Sequence, residues 1–426
     1  MENLYKEVLN TRIVDDYDVI VCGSGPSGIA ASISASRNGV KTLLIEQQSS
    51  LGGMSTSGMM SHWTGTCDSK FYREVLTRCS SDYSPVYRTN EKRRYIDSEK
   101  LKFVYQEMAM EANLDVLYYS FICGVEMDGN VLKGIFVENK SGRTLYRAKV
   151  IIDCTGDGDV AYKAGVPFIN GREDGKKQPA TLMFKVGGVD KKRAILLGSF
   201  ESTYETEKGE LQTLAKINLP EPAGYVLVYD NPLDGVITIN MTNCTNIDGC
   251  KTEDLTKAEF VCRSQMYAIR DFLRNYVPGF ENCYILTSAS FMGIRETRHF
   301  KGLYTITRED IESAKNFDDW VVKGALFNFD VHGLDKPGLD PTGVQSEFKQ
   351  SNGYQIPFGC FIPVNVEGLL LAGRCISGTH IAHSNYRAMP ICMGMGEAMG
   401  ICASIAIKEN IMPSKVDVKK IQSLVD

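Results

Sequence analysis

The run Tyr17 to Cys22 is apolar, with acidic residues before it and glycine after it, as expected of a buried parallel strand. A glycine-rich turn follows at once, and Ile29 to Asn38 then continues with alanine, serine and isoleucine until Gly39 closes a helix in the C-cap position. Lys41 to Ile45 supplies a second strand that ends at Glu46. Further on, Val116 to Glu126, Val131 to Val137 and Thr144 to Ile152 alternate apolar and polar residues around Asp128-Gly129-Asn130 and Ser141-Gly142, which predicts a three-stranded antiparallel meander with tight turns.

From Gly165 to about Tyr354 the parallel-strand pattern is lost. Thr181 to Val186, Tyr225 to Val228 and Val236 to Met241 alternate as strands of an antiparallel sheet. Ala258, Val261, Met266, Ile269, Phe272 and Leu273 recur at helical spacing and predict a long helix over 255–277, stopped by Pro278-Gly279. The chain then returns to a short buried strand within Asn365 to Cys375 and a glycine-rich helix after Pro390. The predicted fold is α/β: a Rossmann-like domain of parallel sheet plus meander from residues 1–165 and 355–426, interrupted by a mainly antiparallel α+β substrate domain at 166–354.

The chemistry of the first turn is specific. Gly23-Ser24-Gly25-Pro26-Ser27-Gly28 fits G-x-G-x-x-G between a strand and a helix. Gly23 permits the tight turn, Gly25 lets the backbone approach a pyrophosphate, and Gly28 lets the helix pack on the strand. The helix N-terminus offers unpaired N–H groups and the positive end of its dipole to the phosphates, and Glu46 stands where an acid holds ribose hydroxyls. A dinucleotide site is the consequence. The glycines Gly394, Gly396 and Gly400 resemble a second fingerprint by letter count, yet they lie inside a helix with no strand before them, so no separate nicotinamide-nucleotide domain is expected.

Composition narrows the partners. The chain has 426 residues, 43 % of them hydrophobic and 23 % charged, with a formal net charge of −5. No basic footprint for nucleic acid is present. The 13 cysteines are scattered with no C-x-x-C pair, the tightest spacing being Cys244 to Cys250, so neither a disulfide framework nor a cysteine metal or iron–sulfur site is expected, and no metal site is assigned. Met1 to Asp18 carries Glu2, Lys6, Glu7, Asp15 and Asp16 rather than an apolar leader, and the apolar stretch Ala388 to Ile407 contains Glu397, Pro390 and several glycines, so it reads as a buried helix rather than a membrane span. A cytoplasmic protein is the expectation.

The order of motifs resembles the FAD-dependent oxidoreductases of the fumarate-reductase-like branch, above all the large bacterial family called FAD-dependent oxidoreductase. Its carriers are G-S-G-P-S-G with Glu46, L-G-G-M-S-T-S-G (Leu51 to Gly58), I-D-C-T-G-D-G-D (Ile152 to Asp159), G-I-R-E-T-R-H (Gly293 to His299), F-D-V-H-G (Phe329 to Gly333) and L-L-L-A-G-R-C-I-S-G-T-H (Leu369 to His380), followed by Y-R-A-M-P-I-C-M-G-M-G-E-A-M-G. The resemblance covers nearly the whole chain and implies a glutathione-reductase-type FAD domain. It implies that Gln47, Gly52, Gly53, Met54, Ser57 and Gly58 form the loop beneath the pyrophosphate. Val125, Thr155, Gly156, Asp157 and Gly373 are expected to contact the cofactor, and the helix beginning at Met389 and Pro390 to point its N-terminus at the flavin, where it steadies negative charge. Many such enzymes have Gly-Asp where this chain has Gly373-Arg374, and glutamine where it has Glu397, so neither Arg374 nor Glu397 is given a catalytic role. His62 lies outside any attachment motif, so FAD is expected to bind non-covalently.

Four of the five histidines, His299, His332, His380 and His383, lie beside the late motifs. His332 is the first candidate for a general acid or base and His380 the second, since imidazole titrates nearest neutrality. Arg295 and Arg387 are candidates for clamping a substrate carboxylate or steadying an anionic flavin, through a bidentate fork that lysine lacks. The expected function is hydride transfer between a small organic substrate and flavin N5, with electrons exchanged with a separate donor or acceptor. The alternatives are a heterodisulfide-reductase-like electron-transfer subunit and a flavin-binding protein without turnover.

Overall fold

The fold is described from a computed structural model over residues 7–79, 93–341 and 344–425; Glu2 and Lys6, used above in reading the N-terminus, lie outside the described residues. A short strand, β1 (Arg12–Val14), leads into β2 (Val19–Cys22), helix α1 (Pro26–Arg37) and β3 (Thr42–Ile45). β4 (Asp115–Leu117) follows, and then β5 (Phe121–Asp128), β6 (Val131–Asn139), β7 (Gly142–Arg147) and β8 (Val150–Asp153). With β13 (Leu369–Leu371), a parallel sheet forms in the order β13-β8-β2-β3-β4. All four residues of β2 are fully buried, as a strand covered on both faces must be.

The meander is present as β5, β6 and β7, with β1 added parallel to β7 at its edge. Two of the expected strands are in fact pairs of strands in different sheets. The stretch 116–126 breaks at Tyr119, which takes φ 52°, so that β4 stays in the parallel sheet and β5 starts the meander. Likewise 144–152 breaks at Ala148-Lys149, where the chain leaves β7 for β8.

The inserted region holds a four-stranded antiparallel sheet, β10-β11-β9-β12, built from β9 (Phe184–Gly187), β10 (Val228–Asp230), β11 (Ile237–Ile239) and β12 (Tyr284–Ser288). Against it packs helix α2 (Thr252–Tyr276), which buries Ala258, Cys262, Met266, Ile269, Phe272 and Leu273 on one stripe. This second core gathers residues from Met59 and from Ala180 to Met292, whereas Phe300, Ile306, Ile311, Val321, Val322, Ala325, Phe329 and Tyr354 pack into the first core. By packing, the chain rejoins the nucleotide-binding body at Phe300, well before the boundary of 354 drawn from the strand pattern.

After β13 come the helices α3 (His380–Tyr386) and α4 (Met389–Glu409), and then a last helix at Val418–Val425. α4 is the one described helix long and apolar enough to cross a bilayer, and 94 % of its apolar window is buried inside the protein. It lies against α1 at backbone contact distance. A Cβ at Gly396 would stand 1.9 Å from the Ser27 carbonyl oxygen, and one at Gly400 2.2 Å from that of Ala31. Gly396→Ala is therefore expected to force the helices apart and destabilise the fold by about 1–3 kcal/mol, the usual range for overpacking a tight core. A denaturant midpoint that does not fall would show that the contact yields freely.

Candidate active site

β2 delivers the chain into a turn whose three glycines have separable reasons. Gly23 takes φ 87°, and a Cβ there would lie 2.7 Å from the Cys154 carbonyl oxygen. Gly28 sits beneath the turn, where a Cβ would meet the Gly23 carbonyl oxygen at 1.8 Å. Gly25 differs: its φ of −59° is open to any residue and nothing lies within 4 Å of a Cβ placed there, so the turn leaves room at this point for a ligand. Glu46 is held at the end of β3 by the backbone N–H and hydroxyl of Ser24, both 2.7 Å from Oε2, and by the Gln48 N–H, 2.7 Å from Oε1.

These groups line a cavity of about 460 Å³. Gly23, Gly25, Pro26, Ser27, Glu46, Gln47, Gly53, Met54, Thr155, Gly156, Asp157, Gly373 and Met389, all expected to contact the cofactor, are on its walls. The wall from β8 is fixed by Asp153, whose carboxylate accepts from the Thr155 and Ala161 N–H groups and whose pKa burial pushes up to about 6. Asp157 accepts from Arg374 at 3.0 Å and from the Thr297 hydroxyl at 2.8 Å. Free N–H groups at the start of α1, an acid at the end of β3, and space at Gly25 are the features that an adenine dinucleotide requires, and the residues present fit FAD.

Six expected contacts are displaced from this cavity. Gly28 packs beneath the turn, and Gly52 gives its N–H to the Ser24 carbonyl oxygen. Ser57 bonds Ser50, Gly58 lies behind Met54, and Pro390 is buried in the first turn of α4. Val125 pairs with Ile135 inside the meander, and the residues of that segment that reach the cavity are Ser120, Phe121 and Ile122. The cavity also takes a wall unforeseen from the sequence: Thr252, Leu255, Thr256 and Glu259 at the start of α2. Their spacing of three, four and seven residues marks a second helical face, overlooked beside the apolar stripe that packs on the sheet.

A second cavity of about 640 Å³ shares Met54, Ile294, Arg374, Arg387 and Met389 with the first. Here Arg295, His332 and Arg387 come together. Asp330 receives Arg387 Nη2 at 2.8 Å and His332 Nε2 at 3.3 Å on the same carboxylate oxygen. Arg295 donates through Nη1 only to neutral oxygens, Pro179 O at 2.8 Å and Thr181 Oγ1 at 2.7 Å, and among the described residues it has no ion pair. Burial, together with the neighbouring Arg387, draws its pKa down to about 10. Burial, and then the Arg295 charge, push the His332 imidazole down to about 4 against the opposing pull of Asp330.

His380, expected near the flavin, is not on either cavity wall. Its Nδ1 lies 2.6 Å from Glu296 Oε1, the same oxygen that His299 Nε2 meets at 2.9 Å, so its ring belongs to a buried cluster behind the arginines. Glu397, set aside from catalysis, accepts from the Phe71 N–H at 3.1 Å and so caps the neighbouring helix Lys70–Cys79. Arg374, also set aside, lines both cavities. Among the described residues all cysteines are free thiols; of the two on the cofactor cavity, Cys154 is pushed far up by burial and Cys392 up to about 12, so neither presents a thiolate.

Because a Cβ at Gly25 would meet no protein atom within 4 Å and its φ is ordinary, Gly25→Ala is expected to leave the melting temperature of the cofactor-free protein unchanged while weakening FAD retention on a desalting column at least tenfold, since the added methyl occupies the room left for the pyrophosphate. Unweakened retention would move the phosphates away from this turn.

Comparison with known proteins gives the same reading. A digeranylgeranylglycerophospholipid reductase of Picrophilus torridus is 30 % identical over 160 residues, covering 33 % of this chain and 39 % of that protein. A soluble pyridine nucleotide transhydrogenase of Vibrio parahaemolyticus is 42 % identical over 65 residues, 15 % of this chain and 13 % of its own length. The chain thus matches well under two thirds of the length of either relative. Among solved structures, a geranylgeranyl bacteriochlorophyll reductase-like protein of Thermoplasma acidophilum shares the fold with a TM-score of 0.54 at 16 % identity, over 98 % of this chain and 84 % of that one. The family model described as FAD dependent oxidoreductase matches residues 18–425, so the chain belongs to the FAD-dependent oxidoreductases and is an enzyme of that family.

Proposed function

We propose that this oxidoreductase acts on a small organic substrate bearing a carboxylate, held in the second cavity by Arg295 and Arg387 while His332 handles a proton. The observation that carries the reading is Arg295: a cavity-lining guanidinium bonded only to neutral oxygens, in a site that also holds Arg387. Keeping such a charge from bulk water without a partner is unfavourable, and an incoming anion relieves it through charge-assisted hydrogen bonds. FAD, when bound, supplies the acceptor or donor of a hydride.

The protein residues then divide the work. Arg387 is already half-neutralised by Asp330, so Arg295 is the stronger anion receptor and Arg387 the orienting partner. His332 keeps a neutral ring at neutral pH and is positioned to accept a proton at its ring nitrogen, with Asp330 stabilising the charged form that results. Phe200 packs its ring edge-on to His332 at 5.3 Å between centroids and fixes the imidazole plane. Electrons leave or arrive through a separate donor or acceptor; the single strand–turn–helix nucleotide fingerprint at Gly23 to Gly28 supports that reading.

Anaerobic mixing of the FAD-loaded protein with organic acids and their matched neutral amides, followed by flavin absorbance, tests the carboxylate requirement. Acids are expected to change the flavin redox state and amides to fail; equal reaction with both would remove the anion clamp. With a reacting acid in hand, the rate is expected to fall on the acid side near pH 4, where neutral His332 becomes protonated, rather than near its ordinary 6.5. Arg295→Gln removes a cation that opposes that protonation, so its acid limb is expected to move upward in pH and its KM to rise. A limb that stays in place would take His332 out of the proton transfer.

A further inference from the structure

Behind the second cavity, Glu296, His299, His380 and His383 converge from two short segments. Glu296-x-x-His299 stands at the entry to the strand Arg298–Phe300, where the two side chains meet at 2.9 Å, and His380-x-x-His383 lies one turn apart on α3, which puts that pair on one helix face. Glu296 has no exposed side-chain surface, and His299 only 2 %. None of the four lines either cavity.

The donor set has more nitrogen than the protein can use. Glu296 Oε1 meets both His299 Nε2 and His380 Nδ1, while Oε2 accepts from the Gln178 N–H at 3.1 Å. The His299 and His383 rings stand edge to face with centroids 4.6 Å apart, and Nδ1 of each is buried without a hydrogen-bond partner. One ligand atom from each of Glu296, His299 and His383 falls within 4.8 Å of the others. Buried polar atoms are ordinarily satisfied, so the unpartnered ring nitrogens show that the protein's own groups do not saturate the cluster, and His299 turns its other nitrogen, Nε2, toward the Glu296 carboxylate, where an ion could sit between them.

We propose that Glu296, His299 and His383 bind a divalent first-row metal ion of zinc type, with His380 orienting the Glu296 carboxylate from outside the ligand set. Two imidazoles and a carboxylate are a ligand set that zinc favours over magnesium or calcium. A histidine that hydrogen-bonds a ligating carboxylate is the usual second partner of such a site. The ion would join the segment carrying Arg295 to the helix that ends at Arg387, so its role is to fix the spacing of the two cavity arginines. Glu296 follows Arg295 directly and α3 closes with Arg387 as its C-cap, which makes the brace short. The inference stands on the cluster itself and does not depend on the carboxylate substrate proposed above.

FAD-loaded protein, stripped with a chelator and dialysed, is given zinc, desalted and assayed for metal by mass spectrometry, with thermal melting recorded before and after. A single retained equivalent and a raised melting temperature are expected for the wild type, since a bound ion stabilises only the folded state. His383→Ala is expected to lose the equivalent, and His380→Asn to weaken it by about 10–100-fold, the range for partners of metal ligands. Should His383→Ala fail to fold, Glu296→Gln serves in its place, and the wild-type titration stands without any variant. Wild-type protein that retains no zinc and melts unchanged would reduce the cluster to a hydrogen-bonded network. Zinc retained equally by wild type and His383→Ala would place the ion elsewhere and equally overturn the proposal.

Discussion

The contact of α1 with α4 is the constraint on which the other features rest. Both helices are almost wholly buried, both begin with a proline in the first turn, and both start at the cofactor cavity. Glycine at 396 and 400 lets the backbones touch, so the two N-termini are held at a separation that no intervening side chain can alter. The N–H ends of α1 and α4 then open on one and the same cavity, where both can face a single ligand. The parallel sheet fixes the rest: β2, β3, β8 and β13 all end on the same edge, and the turn, Glu46, Thr155-Gly156-Asp157 and Gly373 follow from those ends. Ligands of open α/β sheets gather at this edge for the same reason.

The two cavities differ in the kind of group that acts. The cofactor side is mostly backbone and small residues, where specificity comes from room and from N–H direction. The second side is side-chain chemistry: three arginines, His332 and Asp330. Asp330 ties the Arg387 and His332 side chains together, and its carboxyl is held far below the usual carboxylate range, burial being outweighed by the charges of His332, Arg387 and Arg295. With two carboxylates, Asp330 and Glu201, against three arginines and Lys349, the site keeps a local excess of positive charge in a chain whose net charge is −5. That local excess, rather than the overall charge, is what an anionic ligand meets.

Local periodicity carried much of the fold. The strand–turn–helix–strand unit from Tyr17 to Glu46 and the stripe of α2 were legible because each element has its own repeat and a glycine or proline at its end. The two merged strands were not, because their breaks lack such punctuation: Tyr119 enters the left-handed region without being glycine, and Ala148-Lys149 carries no turn signal at all. In the site, the turn glycines were legible for the same local reason. Val125 and His380 lie off the two cavity walls, because proximity to a motif along the chain says nothing of which way a strand or helix turns its side chains. Residues brought by the inserted region, Thr252 to Glu259, carry no nucleotide motif and are visible only once α2 is docked.

The position of Glu296 joins these levels. It follows Arg295 in the chain, accepts from the backbone of Gln178 on one carboxylate oxygen, and meets two histidines on the other. Gln178 in turn accepts from the His332 N–H at 3.2 Å through its side-chain oxygen, so one residue connects the buried cluster to the cavity wall. A shift at Glu296 would therefore reach Arg295 through one peptide bond and His332 through one glutamine. The cluster behind the cavity thus sets the geometry of the groups inside it, as the partners of functional residues generally do. Its burial is the physical condition for that, because only groups shielded from water hold one arrangement firmly enough to position others.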